Sequence, residues 1–292
     1  MSKRWICHAT CVLMACVAPE RRSDSQITTP RIIAVVATPP EVPPGGMLHL
    51  RALVASPDPS ATPALSWSFC RTPRAPSDDT SASVACAEQA EQPIDGNLSE
   101  VDAIVPRDAC KVFGSETPAG TAPNRADSTG GYYQPVRVAL ADGGVAVLRQ
   151  RIRCALPNAP LSAARSYTED YISNRAPGIS TVRLFADELE VDPSAVPQGV
   201  ALRVRVELAE GASESYLFYE PHSGVLETKQ ELLTTSWFAS DAKFSKASVP
   251  ATGPAAENAL EVAGDATGAA LWIVLRDDRG GSTVATLLLR QR

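Results

Sequence analysis

Histidine is nearly missing from this chain: His8, His49 and His222 are the only three in 292 residues. No HExxH occurs, nor any other histidine pair at ligand spacing, so the common zinc-hydrolase arrangement is excluded. A Ser-His-Asp triad would have to use His49 or His222, and no GxSxG elbow exists to present a serine. Both histidines are read as surface residues. His49 sits at a strand position that should face water, and His222 lies in the loop "YEPHSGV". Phosphate loops and dinucleotide fingerprints are also absent. Positive charge is sparse, with a net charge of -6 and Arg21-Arg22 the only adjacent basic pair after the first few residues. A nucleic-acid groove would need a basic stripe, so nucleic acid is not expected as a partner. No apolar run approaches the ~20 residues that a membrane-crossing helix requires.

Turn-forming residues are abundant, with 24 prolines and 18 glycines beside an ordinary apolar fraction of 44%. That balance suits a loop-rich β protein better than a helical one. The front end has its own layout: Lys3 and Arg4, a mainly apolar run from Trp5 to Ala15, then polar sequence. This is the pattern of a secretory signal peptide. Its last four residues, Leu13-Met14-Ala15-Cys16, resemble a bacterial lipobox, in which a small residue precedes a cysteine that takes lipid and becomes the new N-terminus. A plain signal peptide cut nearby and an uncleaved cytosolic terminus are the competing readings, and Ala15-Cys16 favours the lipobox over both. Residue 17 is Val rather than Asp, which leans towards the outer membrane. The expected localisation is therefore export, with a lipid anchor on Cys16 in the cell envelope.

Seven cysteines then fall into groups. Cys7 and Cys11 leave with the signal, Cys16 takes lipid, and Cys70, Cys86, Cys110 and Cys154 remain. An even number in an oxidising compartment reads as two disulfides. Three connectivities are possible. Cys70 with Cys86 and Cys110 with Cys154 is preferred, because the first would staple a polar loop and the second would pin a long excursion to a strand. The alternative, a site of four thiolates, lacks any CxxC pair and does not match zinc-ligand spacing.

From Arg31 onward short apolar segments alternate with Pro/Gly turns, the sign of an all-β fold. An internal repeat is the most informative feature. "TPPEVPPGGMLHLRALV" (38–54) aligns without gaps on "DPSAVPQGVALRVRVEL" (192–208), with identities at Pro39/Pro193, Val42/Val196, Pro43/Pro197, Gly45/Gly199, Leu48/Leu202 and Arg51/Arg205. Copies this far apart imply two domains rather than a solenoid. In "VALRVRVEL" Leu202, Val204, Val206 and Leu208 alternate strictly with Arg203, Arg205 and Glu207, so one face is core and one is wet. Each copy goes on to a tryptophan (Trp67, Trp237) and closes on a strand pair split by a glycine doublet, Gly143-Gly144 and Gly280-Gly281. The predicted fold is two immunoglobulin-like β-sandwich domains joined by a short helical linker and preceded by a lipoprotein signal peptide. The boundaries are residues 1–15 for the signal, 16–30 for a lipidated tether, 31–155 for the first sandwich, 156–178 for the linker and 179–292 for the second. Within the linker, Leu161, Ala164, Tyr167, Tyr171 and Ile172 fall near one helical face, closed by Asn174 and Pro177. Residues 71–131 read as a Pro/Ser/Asp/Thr-rich insertion ordered by the disulfides.

Several further stretches stand out: "SWSFC" (66–70), "DACKVFG" (108–114), "GGYYQPVR" (130–137), "RIRC" (151–154), "YISNRAP" (171–177) and "LWIVLRDDRGG" (271–281). With the lipobox they make the chain resemble a group of uncharacterised surface lipoproteins of myxobacteria-like, high-GC bacteria. The resemblance implies surface-exposed immunoglobulin-like modules and carries no catalytic residues.

Two clusters invite a chemical reading. Glu188, Glu190 and Asp192 would share one face of a strand, but acids on an outer edge are usually solvated and keep edges apart. Asp277 and Asp278 offer too few oxygens for calcium. Among aromatics, Trp67 is assigned to the first core and Trp237 with Trp272 to the second. Tyr132, Tyr133 and Tyr219 are the candidate binding residues for a sugar or peptide surface, with Tyr216 and Phe218 nearby. No catalytic residue, metal or cofactor is expected. The expected role is a non-catalytic binding or spacer protein, held at the membrane by its lipid, with an envelope protein or polysaccharide as partner. The alternative is an accessory carbohydrate-binding or scaffold subunit of a separate envelope enzyme or a secretion or adhesion assembly. Intact mass after membrane extraction should show a lipidated Cys16 terminus, and non-reducing peptide mapping should find no free thiol among the four later cysteines.

Overall fold

Every second residue of "MLHLRA" is apolar, and Leu48, Leu50 and Ala52 turn into a core while Met47, His49 and Arg51 face outward. The same rule builds the rest of the computed structural model, which describes residues 25–58, 60, 63–74, 82–116, 125–156, 158–264 and 266–292. The lipobox and Cys16 lie outside the described residues.

The first unit contains β1 (Arg31–Thr38), β2 (Glu41–Val42), β3 (Met47–Ala55), β4 (Leu65–Phe69), β5 (Gln92–Ile94), β6 (Glu100–Ile104), β7 (Tyr132–Leu140) and β8 (Val145–Ile152). Two short helices, α1 (Val84–Glu88) and α2 (Ala109–Val112), lie on its connections. One sheet has the order β1-β3-β6 and the other β2-β8-β7-β4-β5. After α3 (Leu161–Asp170), the second unit contains β9 (Ile179–Ala186), β10 (Leu189–Glu190), β11 (Leu202–Leu208), β12 (Ser215–Glu220), β13 (Val225–Gln230) and β14 (Leu233–Ala239). It continues with β15 (Ala242–Phe244), β16 (Ser248–Ala251), β17 (Ala255–Val262), β18 (Gly268–Arg276) and β19 (Ser282–Arg290). Its sheets are β10-β9-β11-β17-β15 and β16-β14-β18-β19, with β12-β13 as a separate hairpin.

The two units share one connectivity. The first two long strands pair with a later one (β1-β3-β6, β9-β11-β17), and a middle strand pairs with the closing hairpin (β4-β7-β8, β14-β18-β19). That is the strand order of an immunoglobulin-like sandwich. The sequence repeat maps onto equal geometry. Val42 pairs in parallel with Ile152 at the end of β8, and Val196 bridges in parallel to Gln291 just after β19. Gly45 and Gly199, matched in the repeat, both have positive φ, 78° and 68°, ahead of the next strand. An L side chain is strained there, which accounts for glycine in both copies.

Each sandwich has its own core. Leu48, Leu50, Trp67, Val136 and Val138 belong to the first, and Val204, Val206, Trp237, Phe244, Leu271 and Ile273 to the second. Trp272 departs from expectation. In β18 it alternates against Leu271 and Ile273, so it points away from the second core and packs with Ile27, Ile33 and Ala55 in a cluster between the units. The end of the expected tether contributes to that cluster: Gln26 bridges Ala239, and the Ile27 N–H donates to the Ala239 carbonyl at 2.8 Å. Residues 71–131 are likewise more than an insertion, because β5 and β6 extend the two sheets of the first sandwich. β6 escapes notice in sequence because it is five residues long with charge on its outer face. The disulfides join Cys70 to Cys86 and Cys110 to Cys154, tying α1 to the end of β4 and α2 to the residue region just after β8. The linker helix is shorter than its pattern suggests. Leu161 and Ile172 are exposed, and α3 lies against the β12-β13 hairpin rather than a sandwich face.

Since Trp272 is the largest apolar side chain joining the units, Trp272→Ala should lower the unfolding free energy by about 3 kcal/mol, measured by urea denaturation. Unchanged stability would show that the cluster does not hold the units together.

Candidate functional site at the junction of the two units

Most polar side chains here meet water, but a group of charged ones does not. Glu41 from β2, Arg151 from β8, and Glu231 and Arg279 from the second unit are all almost fully buried. Isolated, such charges would be prohibitively costly; they persist because each is paired and hydrogen-bonded. The Glu41 carboxylate accepts from Tyr171 Oη at 2.8 Å, the Asn174 N–H at 2.8 Å and Arg279 Nη2 at 3.4 Å, and lies 3.6 Å from Arg151 Nε. Arg151 Nη1 donates to Thr129 Oγ1 at 2.7 Å and Tyr133 Oη at 3.1 Å. Arg279 donates to Glu231 at 3.1 Å, Tyr171 Oη at 2.9 Å and the Ile172 carbonyl at 3.2 Å. Asp277 folds its own loop by accepting from the Arg279 and Gly281 N–H groups at 2.9 and 2.7 Å, and also takes Asn174 Nδ2. First unit, linker and second unit all contribute, so one network joins the three.

The stretches singled out in the sequence converge on this network. "RIRC" supplies Arg151, "YISNRAP" supplies Tyr171 and Asn174, and "LWIVLRDDRGG" supplies Asp277 and Arg279. In "GGYYQPVR" a Cβ on Gly131 would stand 2.1 Å from Arg151 Nη1, so glycine leaves room for the guanidinium. What the sequence could not reveal is their contact, because Glu41 and Arg279 are 238 positions apart. Charge is also unbalanced, since Glu41, Glu214, Glu231 and Asp277 face the buried guanidiniums of Arg151 and Arg279, with Arg175 on Glu214 at the surface. Burial, helped by Asp277 and Glu214 and opposed by Arg279, pushes Glu231 up to about 7. Burial likewise pushes Asp277 up to about 6 against its N–H donors.

Beside the network lies a cleft of about 570 Å³, lined by Tyr132, Tyr167, Phe218, Tyr219, Arg125 and Asp127 among others, a size within the roughly 300–1,000 Å³ range of small-ligand sites. Its wall is built locally. Asp127 Oδ1 accepts from the Thr129 and Gly131 N–H groups and from Thr129 Oγ1, closing a tight turn. Burial works against that carboxylate, but these donors and Tyr133 hold it below the ordinary value. Gly130, at φ 74°, lets the turn sit against the Phe218 ring. Thr129 belongs to both the cleft wall and the network, and Tyr167 stacks on Tyr171 at 4.6 Å. Tyr132 and Tyr219 thus line one cleft, although 87 residues separate them in sequence. Tyr133 does not: its hydroxyl meets Arg151 and its ring lies 4.1 Å under the Arg149 guanidinium, and burial pushes its pKa up to about 12. His222, largely exposed, stands at the rim against Glu220 at 2.9 Å. Such a lining offers aromatic faces with donors and acceptors of both charge signs.

The other candidates do not assemble. Glu188 pairs with Arg203 at 2.6 Å, Glu190 with Arg183 at 3.6 Å, and Asp192 caps Ser194. Asp187 and Glu188 have positive φ and form the turn of a hairpin, so the acids do not share the strand face that was expected. His49 stays at the surface between Glu100 and Asp102.

No protein-family model matches the chain, and no curated protein matches it. Among solved structures, the D00-D0 domain of intimin aligns over 89% of this chain and 98% of its own at 10% identity, TM-score 0.23. A marsupial T cell receptor aligns over 88% and 98% at 12% identity, TM-score 0.29. The Yersinia pseudotuberculosis adhesin InvE aligns over 88% and 58% at 7% identity, TM-score 0.23. At these scores the likeness adds nothing to the strand order, on which the immunoglobulin-like assignment stands.

The raised carboxyls have a consequence for stability. Glu231 and Asp277 keep protons in the folded state at pH values where the unfolded chain, at its ordinary 4.5 and 3.8, has lost them. Their stabilising contribution is complete below those ordinary values and disappears as pH rises through about 6 and 7. Thermal midpoints should therefore fall between about pH 5 and pH 8, by the equivalent of ~4 kcal/mol at most, the larger part from Glu231. Glu231→Gln should flatten the profile, and an unaltered profile in that variant would show that Glu231 does not carry the proton.

Proposed function

We propose that this chain is an exported, lipid-anchored cell-envelope protein, held by Cys16, whose two sandwiches form a rigid, non-catalytic binding or spacer unit. Its placement at the outer membrane and its kinship with the surface lipoproteins of high-GC bacteria belong to the same proposal. The observation that carries the binding role is the junction cleft, whose wall shares Thr129 with the buried network and so is fixed before any ligand arrives. Preorganised walls reduce the ordering cost of binding. Two disulfides suit an oxidising compartment outside the cytoplasm. Among the described residues no helix is long and apolar enough to cross a membrane.

A second reading, an accessory carbohydrate-binding subunit, is favoured by the cleft lining. Tyr132, Tyr219 and Phe218 offer ring faces, while Asp127, Arg125 and Asn158 offer donors and acceptors without one dominant charge. The full-length protein in detergent, immobilised and exposed to envelope fractions, should retain a polysaccharide or protein partner. Tyr219→Ala and Tyr132→Ala should each weaken that retention about tenfold or more, Tyr219→Ala with the thermal midpoint nearly unchanged and Tyr132→Ala with a lowered one, because Tyr132 also packs against the first core. Retention of carbohydrate, reproduced on a glycan array, selects the second reading. Capture unaffected by both substitutions would remove the cleft from the function.

A further inference from the structure

Sheet edges expose unpaired N–H and C=O groups that can capture another strand, and proteins usually block them with proline, charge or shortness. Nearly every edge here is blocked. β5 carries Pro93 and β16 carries Pro250; β6 carries Glu100 and Asp102; β13 carries Glu227 and Lys229. β10 and β15 have only two and three residues. The outer edge of β1 is buried against neighbouring strands, and Arg276 Nη2 donates to its Ile33 carbonyl at 3.0 Å. β12 is covered by α3.

β19 lacks proline, charge and shortness as protection, and beside β18 the Pro193–Ala195 turn, β1 and β9 pack near it. It is nine residues long and terminal in its sheet, and between Ser282 and Leu289 it contains no proline and no charge. On its free side, among the described residues, backbone pairing occurs only at its far end. There the Val196 N–H reaches the Arg290 carbonyl at 2.8 Å, and the Arg292 N–H reaches the Val196 carbonyl at 3.0 Å. Its counterpart β8 is better guarded, with β2 paired along Arg151 and Ile152 and Arg149 placing a charge in mid-strand. Thr286 and Leu288 are exposed on β19, Leu288 at 63%. Both point to the face that carries Trp272 and Ala270, as their register with β18 shows.

We propose that β19 pairs antiparallel with β19 of a second copy, extending the sheet across a two-fold axis. The sequence suits itself as a partner. Centred on Thr286, the pairing sets Val284 opposite Leu288 and Ala285 opposite Leu287, and stops short of Arg290, whose carbonyl already accepts from the Val196 N–H. No like charges face each other, and Val284 meets Leu288, a β-branched and leucine pair that supports cross-strand contact. The two-fold closes the contact at a dimer. One strand edge buries less than the roughly 1,200 Å² of a standard interface, so association is weak in dilute solution. Copies held on one membrane gain from their high local concentration.

Sedimentation velocity of the full-length protein in detergent tests this. The mass should rise from monomer towards dimer with concentration in the micromolar range. Thr286→Lys, which sets two ammonium groups opposite each other, should weaken dimerisation at least tenfold with an unchanged thermal midpoint, and Thr286→Val should retain it. In Thr286→Cys an intermolecular disulfide should form under mild oxidation, which checks the register without relying on a charged variant. A protein that stays monomeric at all concentrations, dimers that persist unchanged in Thr286→Lys, or a failure of Thr286→Cys to cross-link would each overturn the proposal.

Discussion

Glu41 is the residue on which the arrangement of this molecule turns. Its carboxylate lies out of reach of water between two sandwiches, and it is tolerable there only while Tyr171, Asn174, Arg151 and Arg279 stay in place around it. A buried charge cannot be left half-satisfied without a penalty of several kcal/mol. The first unit, the linker and the second unit are therefore constrained by one another through a single group of hydrogen bonds. An apolar contact would tolerate sliding; this one has direction, because each donor must aim at a particular oxygen.

The rest follows from that constraint. With the units fixed by the ionic network and by the Trp272 cluster, the Asp127 turn and the β12-β13 hairpin are brought face to face, and the space left between them is the aromatic cleft. The cleft is thus a product of the junction rather than of either sandwich, and neither unit alone contains it. The same packing buries the outer edge of β1 while leaving the middle of β19 without a backbone partner on its free side among the described residues. One arrangement accordingly produces two surfaces, a concave one suited to a small or chain-like ligand and a straight one suited to another strand.

How much of this the sequence disclosed depended on the range of the physics. Alternation in "LRVRVEL" and the glycine requirement at Gly45 and Gly199 are local, and they identified sandwich strands and a repeated turn. Trp272 lies outside the second core because its neighbours Leu271 and Ile273 define the core face, and alternation alone cannot say what covers the other. Glu188, Glu190 and Asp192 share a face only in a continuous strand, and positive φ at Asp187 and Glu188 breaks that strand. Alternation puts Tyr132 and Tyr133 on opposite faces without saying what covers either. Here one face is the cleft while the other is the ionic network.

Chain chemistry by itself settled an all-β architecture, two copies of one sandwich pattern and the even set of four later cysteines, since periodicity, turn residues and parity are properties of neighbours along the chain. Tertiary structure alone decided that "RIRC", "YISNRAP" and "LWIVLRDDRGG" meet, that Glu41 completes them, and that Tyr132 and Tyr219 share a cleft. Those contacts join residues from tens to more than two hundred positions apart. Their energies depend on distance and on exclusion of water, and both exist only once the two units have docked.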